Sequence, residues 1–592
     1  MAVRPMIKTW WVWLMAVAIG ALFALPHVVR VAEVGYAAYS PFTAHSPSAM
    51  TYDETFLYGA EANYTLTRGA PAFDDTWEHR AGVYPYSVLP TALEAGLAWG
   101  LHSLKLAHMV ASFLYPFASA LLLMAIFRRA GAESALAGLL ALVVLVIAFS
   151  PMTLLIDLRT FVHHAQGARW TDTLQAARNP NPAITFVQFS GCLLLLAVAL
   201  ERRSWRWAGA AGVLGGLLFF SYVYYAIAWS VMMALLGAAS LLWPHRVSRV
   251  VWIAVGKTMV LGAAFLGWEH VAKAQGNYVL RATRIGLYHS HAVVGANLWE
   301  TVLWGAVTVG CGAVWVRLRR ANARADAWMM VLLAAMLGGL TGLDMQVVTG
   351  FNLQQVQHFP HMVLQPVGFM MVGVLTALVW PAGRRWRVVA AAGFVVLLGL
   401  GTVAQVEAAR DTAAMHVVPL AERELFAWLN AKTAVGSVVA TDDLALSIVL
   451  PVMTHTSVLY ADGSRSSAND DELMERFLLA GRLAGAPSAE MERRMRAVTW
   501  READVTEASY ASYLYEFSAK YQETRGDRHV SEQLIPGLLQ QYTQMDVAAE
   551  LQRFRVDYVW TEAKQVPPAV TGWVYVQAFS STEGTLWRLV RA

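Results

Sequence analysis

The chain has 592 residues, of which 57% are hydrophobic and only 15% charged, where a soluble domain is nearer a quarter charged. That composition excludes an ordinary soluble enzyme. The net charge of +4 comes mostly from arginines at the ends of apolar runs, so it makes no case for a nucleic-acid partner. The two cysteines, Cys192 and Cys311, both lie inside apolar runs and read as buried free thiols.

The apolar residues fall into blocks of about 20, the length that crosses a ~30 Å hydrocarbon core. The first, 10–31, follows Arg4 and Lys8 and lacks a clear small-x-small cleavage site, so it is expected to remain as an anchor. The others are 106–127, 135–156, 184–200, 207–224, 226–243, 250–268, 299–316, 328–344, 362–380 and 388–406. These spans place Arg4/Lys8, Arg128/Arg129, Arg202/Arg203/Arg206, His245/Arg246/Arg249, Arg317/Arg319/Arg320/Arg324 and Arg384/Arg385/Arg387 on one side. The positive-inside rule makes that side cytoplasmic. The expected topology is a polytopic α-helical membrane protein of about eleven spans, with a cytoplasmic N-terminus and the C-terminal third outside, in a bacterial inner or plasma membrane.

Two stretches need a choice. A crossing at 88–104, which holds Pro90, Glu94 and His102, would flip Arg128/Arg129 to the outside. It is therefore read as a helix lying along the interface with its polar residues toward water. Segment 207–243 must hold two crossings with a tight outer turn near Ser221-Tyr222, and Tyr222, Tyr224, Tyr225 and Trp229 suit an interfacial aromatic belt.

The predicted division is 1–406, a membrane domain with a long first outer loop (32–105), and 407–592, an extracytoplasmic α/β domain. In the second part, helices are expected over 422–432, 470–483 and 488–498, and strands over 437–440, 457–460, 558–562, 574–579 and 585–590. Tyr460, Trp500 and Trp560 are expected in its core, and the domain is expected to pack over the outer loops. The cytoplasmic loops are short and basic, so chemistry belongs outside.

There the leading candidates are Asp53 and Glu54, adjacent carboxylates in the first outer loop flanked by Tyr52, Phe56 and Tyr58. Solvated loops are full of carboxylates, but aromatic neighbours would bury this pair partly and raise one pKa. A transfer to a hydroxyl needs a carboxylate to take its proton. Arg169, Arg178, Arg281 and Arg284 lie on the outer side, where positive-inside counting disfavours arginine, and a lipid phosphate needs such fixed cations. His358 and His361, three apart, share a helical face at the mouth of a span. They suit phosphate or acceptor binding, though plain packing fits them too. His163-His164 are adjacent and point apart. Asp344 reads as an outer boundary marker. Asn179-Pro180-Asn181-Pro182 reads as a turn that starts a span, and Asp442, Asp443 and Asp462 as turn residues after strands.

A first span, an acidic pair in a long first outer loop, an interfacial helix, many spans and an outer α/β domain together resemble the GT-C class of integral-membrane glycosyltransferases. Asp53 matches the usual loop-one catalytic aspartate, with Glu54 beside it as in protein O-mannosyltransferase-like members. The resemblance implies an inverting transfer from a polyprenyl-phosphate-linked sugar to a glycan, lipid or protein acceptor, among membrane lipids and without nucleic acid. A divalent metal (Mg or Mn) is the cofactor it would allow. No WWD-type signature of oligosaccharyltransferases stands in the C-terminal part, which argues against that branch. Two other readings remain: a transporter or flippase of lipid-linked sugars, disfavoured by few mid-span charges and no internal symmetry, and a non-catalytic membrane scaffold.

Overall fold

The computed structural model describes residues 10–43, 58–69, 88–149, 174, 176, 178–242, 245–274, 288–289, 291–293, 295–318, 325–352, 358–460, 468–496, 530–563 and 565–592. In chain order the helices of the first part are α1 (Trp10–Val34), α2 (Ala60–Arg68), α3 (Val88–Leu101), α4 (Leu104–Ala130) and α5 (Ser134–Val143), the last extended by a π turn over Val144–Ala148. Then come α6 (Ala183–Arg202), α7 (Trp205–Gly216) with a 3-10 turn over Leu217–Phe220, α8 (Val223–Ser240), α9 (His245–Ala274), α10 (Gly295–Leu318) and α11 (Ala325–Leu343). The part closes with α12 (Met345–Thr349), a π turn over Phe359–Leu364 that leads into α13 (Gln365–Val379), and α14 (Arg384–Asp411). A two-residue ladder, β1 (Tyr288–His289) with β2 (Phe351–Asn352), ties two loops together.

Nine described helical stretches are long and apolar enough to cross a bilayer. The α5 and α7 stretches are shorter but join the same two ends of the bundle. At one end, Arg129 pairs with Glu201 at 3.2 Å, Arg387 with Glu133 at 2.5 Å, and Trp315 donates to Asp326 at 3.0 Å. At the other, Phe149 meets Phe186 with ring centroids 4.6 Å apart, Ser221 donates to Gln188 at 2.7 Å, and Asn297 donates to the Leu343 carbonyl at 3.3 Å. Arg128/Arg129, Arg202/Arg203 and Arg384/Arg385/Arg387 lie at the first end.

Local chemistry explains the boundaries. Ser103 caps α4 by accepting from the Leu106 amide at 3.2 Å, and Gly131, at φ 116, supplies the left-handed residue that ends it. Pro26 and Pro116 sit inside α1 and α4, as neighbouring helices permit in a membrane bundle. Close crossings rest on small residues: a Cβ on Gly338 of α11 would fall on the Ala228 carbonyl of α8.

Two expectations are corrected. Tyr225 and Trp229 are wholly buried and Tyr222 and Tyr224 nearly so, so these aromatics form no lipid-facing belt. The short helices α7 and α8 cross tightly at Gly215, whose missing side chain is filled by the Trp229 indole, and Trp229 donates to Thr258 at 3.1 Å. Second, α3 does stop short of a crossing, at 14 residues, but Glu94 faces inward and is 1% exposed, not turned to water. His102 remains exposed.

After α14, which runs on beyond the expected end at 406, the chain forms α15 (Leu420–Lys432), β3 (Val438–Ala440), α16 (Leu444–Met453), β4 (Ser457–Val458), α17 (Asp470–Ala484) and α18 (Ser488–Arg496). It ends with α19 (Ile535–Gln544), α20 (Val547–Arg553), β5 (Tyr558–Glu562), β6 (Trp573–Ser580) and β7 (Gly584–Arg591). The sheet order is β4-β3-β5-β7-β6, parallel across β4, β3 and β5 and antiparallel from β5 onward. Tyr460 and Trp560 are in its core, while Trp500 and Asp462 lie outside the described residues. The expected strands and three helices are present; α16, α19 and α20 were not foreseen. Asp443 caps α16 through the Leu446 amide at 3.1 Å and Asp442 pairs with Arg494 at 3.1 Å, so both have structural work.

The sheet part sits directly on the first outer loop. Asn63 of α2 donates to the carbonyls of Pro451 and Thr454 at 2.9 and 2.7 Å, and Arg68 donates to Ser457 at 2.9 Å. Val452 packs with Phe42, Ala60, Ala98 and Leu104. Beside this contact, Tyr39 bridges Val417, the Val418 amide donates to the Ala38 carbonyl at 2.9 Å, and Arg30 donates to Thr412 at 2.9 Å.

Burial, with Asp443 and Glu583 nearby, pushes the Glu422 carboxyl up to about 7. The folded chain therefore holds a proton that the unfolded chain has lost between about pH 4.5 and 7, and stability falls as pH rises through that window. Glu422→Gln is expected to raise the melting temperature at pH 8, by the equivalent of roughly 1–3 kcal/mol, and to change little at pH 4.5. Melting curves at the two pH values check it; a variant no more stable at pH 8 contradicts the assignment.

Candidate functional site

Of the residues singled out in the sequence, Asp53, Glu54, Arg169, Arg281 and Arg284 lie outside the described residues, as do His163, His164, Asp74, Asp75 and Asp157. Arg178, His358 and His361 are described, and the fold brings them together at the end of the bundle that carries the sheet part. The turn before α6 supplies Arg178, the turn before α8 supplies Tyr222, and the turn before α13 supplies His358. The Tyr222 hydroxyl is 2.5 Å from His358 Nδ1, and the Tyr224 ring centroid is 4.7 Å from that of His358. Arg178 is 9% exposed and close enough to act electrostatically on both Tyr222 and His358. Tyr58, at the start of the described part of loop one beyond the acidic pair, is close enough to bear on Tyr222.

The electrostatics assign the hydrogen bond. Desolvation first, then Arg178 and His361, push the His358 imidazole down to about 3. Burial first, then Tyr224 and Tyr58, push the Tyr222 phenol well up. Both groups are thus neutral near pH 7, with Tyr222 donating to Nδ1 and leaving the N–H on Nε2. His358 therefore offers a phosphate a hydrogen bond and no charge. The fixed charge of this cluster is the Arg178 guanidinium.

A second cluster adjoins through Asn179. His27 of α1 meets the Tyr39 hydroxyl through Nδ1 and Ser112 of α4 through Nε2 at 2.9 Å. Asn179 donates to Ser112 at 3.1 Å, and His108 Nδ1 pairs with Glu94 at 2.9 Å, both side chains being buried. Sequence reading missed this network because its members lie on α1, α3, α4 and the turn before α6, with no shared spacing. Its visible signal was three ionisable residues, His27, Glu94 and His108, in apolar surroundings. Near it, between α3 and the sheet part, lies a cavity of about 530 Å³ lined by Phe42, Asn63, Trp99, His102, Lys105 and Met453. Asp344, by contrast, simply accepts from Thr301 at the end of α11.

No described group of three or more His, Cys, Asp or Glu could hold a metal ion.

Fold and site together define a polytopic membrane protein with a polar, tyrosine-lined centre where the bundle meets its sheet part. No family model matches the chain, and no curated protein sequence matches it. Among solved structures it is similar to the Archaeoglobus fulgidus oligosaccharyltransferase. Against the apo form the identity is 10% and the TM-score 0.42, covering 94% of this chain and 70% of that one. Against the complex with Zn and sulfate the figures are 10%, 0.40, 91% and 68%. Against the archaeal oligosaccharyltransferase AglB with an inhibitory peptide and a dolichol-phosphate they are 9%, 0.39, 92% and 69%.

Proposed function

We propose that this chain is a membrane glycosyltransferase of the GT-C type, transferring a sugar from a polyprenyl-phosphate carrier to an acceptor hydroxyl on the extracytoplasmic side. The observation that carries the reading is the meeting of Arg178, Tyr222, His358 and Tyr58 at the end of the bundle that carries the sheet part. A fixed cation for a phosphate and neutral hydrogen-bond donors stand in one place. Asp53 is five residues before Tyr58, and chain geometry holds its Cα within ~18 Å of that of Tyr58.

In this reading Asp53 takes the proton of the acceptor hydroxyl as its oxygen bonds to the anomeric carbon. The bond from that carbon to the phosphate oxygen breaks, and the carrier phosphate leaves with the electron pair. Attack opposite the leaving group inverts the anomeric centre. Glu54 supports Asp53 by position, and Arg178 meets the charge on the departing phosphate. Arg169, Arg281 and Arg284 are proposed as further phosphate cations, with His358 and His361 as neutral or auxiliary contacts. Transfer from labelled polyprenyl-phosphate sugars in membranes containing the protein, against membranes with an Asp53→Asn chain, tests the reading. Absence of transfer from every such donor with the wild type contradicts it.

The orientation has its own test. Reporter fusions at Arg320 and Ala592 are expected to read cytoplasmic and extracytoplasmic, respectively, because the arginine-bearing turns and the sheet part occupy opposite ends of the bundle. A cytoplasmic signal at Ala592 would put the site on the wrong side for this chemistry.

A further inference from the structure

Buried side-chain amides in folded proteins almost always have partners, and one left without them is costly. Two amides at this end of the bundle break the rule completely. Asn181 is 4% exposed and Gln346 is 1% exposed, and in both the amide oxygen and the amide nitrogen are buried with no hydrogen-bond partner among the described residues. Asn179 shows a partial version: its nitrogen is held by Ser112 while its oxygen has no partner.

Their placement is specific. Asn181 belongs to the same turn as Arg178, whose guanidinium acts on Tyr222 and His358. Gln346 lies in α12, just past Asp344, where the helix of α11 breaks; at the end of α11, Gly339 and Gly342 lie against Leu364 and Phe359, the latter being the residue after His358. Val347 and Val348 beside it are exposed, so Gln346 is the residue of its turn that points inward.

The chemistry of the missing partner follows from what an amide offers. Each amide presents two N–H donors and an accepting oxygen. A phosphate near neutral pH only accepts, so it would leave both amide oxygens unsatisfied. A lipid chain does neither. A hydroxyl donates and accepts, and a group carrying several hydroxyls can satisfy both ends of both side chains. We infer that Asn181 and Gln346 form a subsite for the hydroxyl-rich glycosyl group of the donor, next to the Arg178 cluster that takes its phosphate. The inference rests on the proposed function and adds which part of the donor these residues read.

The test uses the full chain in lipid nanodiscs. The probes are a long-chain polyprenyl phosphate and the same carrier bearing glucose, mannose or galactose, with affinity measured for each. The wild type is expected to bind at least one hexosyl carrier about tenfold or more tightly than the bare carrier. Asn181→Ala and Gln346→Leu are each expected to lower that ratio about tenfold while affinity for the bare carrier stays near wild type. Because each removes an unsatisfied buried amide, the melting temperature of the ligand-free protein is expected to hold or rise. The ratio is read within one sample, so a variant that folds poorly weakens both probes and leaves the ratio intact. An unchanged ratio in both variants overturns the subsite, and a lowered melting temperature alongside it shows that the amides serve the fold. A wild type that binds the bare carrier but prefers no hexosyl form overturns the subsite and leaves the phosphate reading standing. A wild type that binds none of the probes overturns both.

Discussion

Asp53→Asn is expected to lower sugar transfer by roughly 10²–10⁴ while leaving the protein folded and donor affinity little changed. The substitution keeps the shape and removes the base. An acceptor hydroxyl has a pKa far above neutral, so its proton must be taken as the new bond forms, and a positioned carboxylate contributes rate of that order. The loss should fall on turnover, because an Asn can still accept a hydrogen bond from the acceptor in the ground state. Steady-state transfer rates with a labelled polyprenyl-phosphate sugar measure it. Full activity in Asp53→Asn would move the search for the base to Glu61, Asp74, Asp75 and Asp157. Of these Glu61 is described, buried at the start of α2 under the sheet part.

Arg178→Ala should act on the other partner. Arg178 is the described cation of the tyrosine-lined cluster, and removing one member of a desolvated charge pair costs about 2–5 kcal/mol, or roughly 30- to several-thousand-fold in affinity. The effect should appear mainly in donor KM or Kd, with acceptor KM near wild type. Arg178→Lys should recover part of the loss, because it keeps the charge but not the two-pronged geometry. Donor and acceptor saturation curves for the three chains separate these outcomes. Equal weakening toward donor and acceptor would assign Arg178 to holding the turn before α6 in place.

The bundle was legible in the sequence because bilayer thickness leaves a direct mark: long apolar runs and arginines at alternate ends. The strands of the sheet part were legible for a similar reason, being short runs of β-branched and aromatic residues between turn signals. Several contacts were not. Glu94 sits in an apolar helix that length alone assigns to the interface, and only the position of His108, on the next helix, reveals that its carboxylate turns inward. Asn179-Pro180-Asn181-Pro182 reads as a turn, and nothing in those four residues tells that the asparagines are buried against different neighbours. Tyr222, Tyr224, Tyr225 and Trp229 have the composition of an interfacial belt, yet all four rings are interior, the Trp229 indole filling the space at Gly215 of α7. α16 has ten largely apolar residues and no polar face, because it is enclosed by the sheet on one side and by loop one on the other. Arg178 and His358 were legible as residue types on the right side of the membrane; their meeting with Tyr222 depends on three separate turns.

The stitching of residues 38–43 to 415–418 and of α2 to α16 bears on how the protein is made. The first outer loop emerges from synthesis almost four hundred residues before the partners that hold it. Until Thr454 has been synthesised, Asn63 lacks the two carbonyls that position α2. The loop proposed to carry the base must wait across the insertion of every later span. The contacts that hold α2 against α16 and β4 thus form only after residues 451–457 have been made.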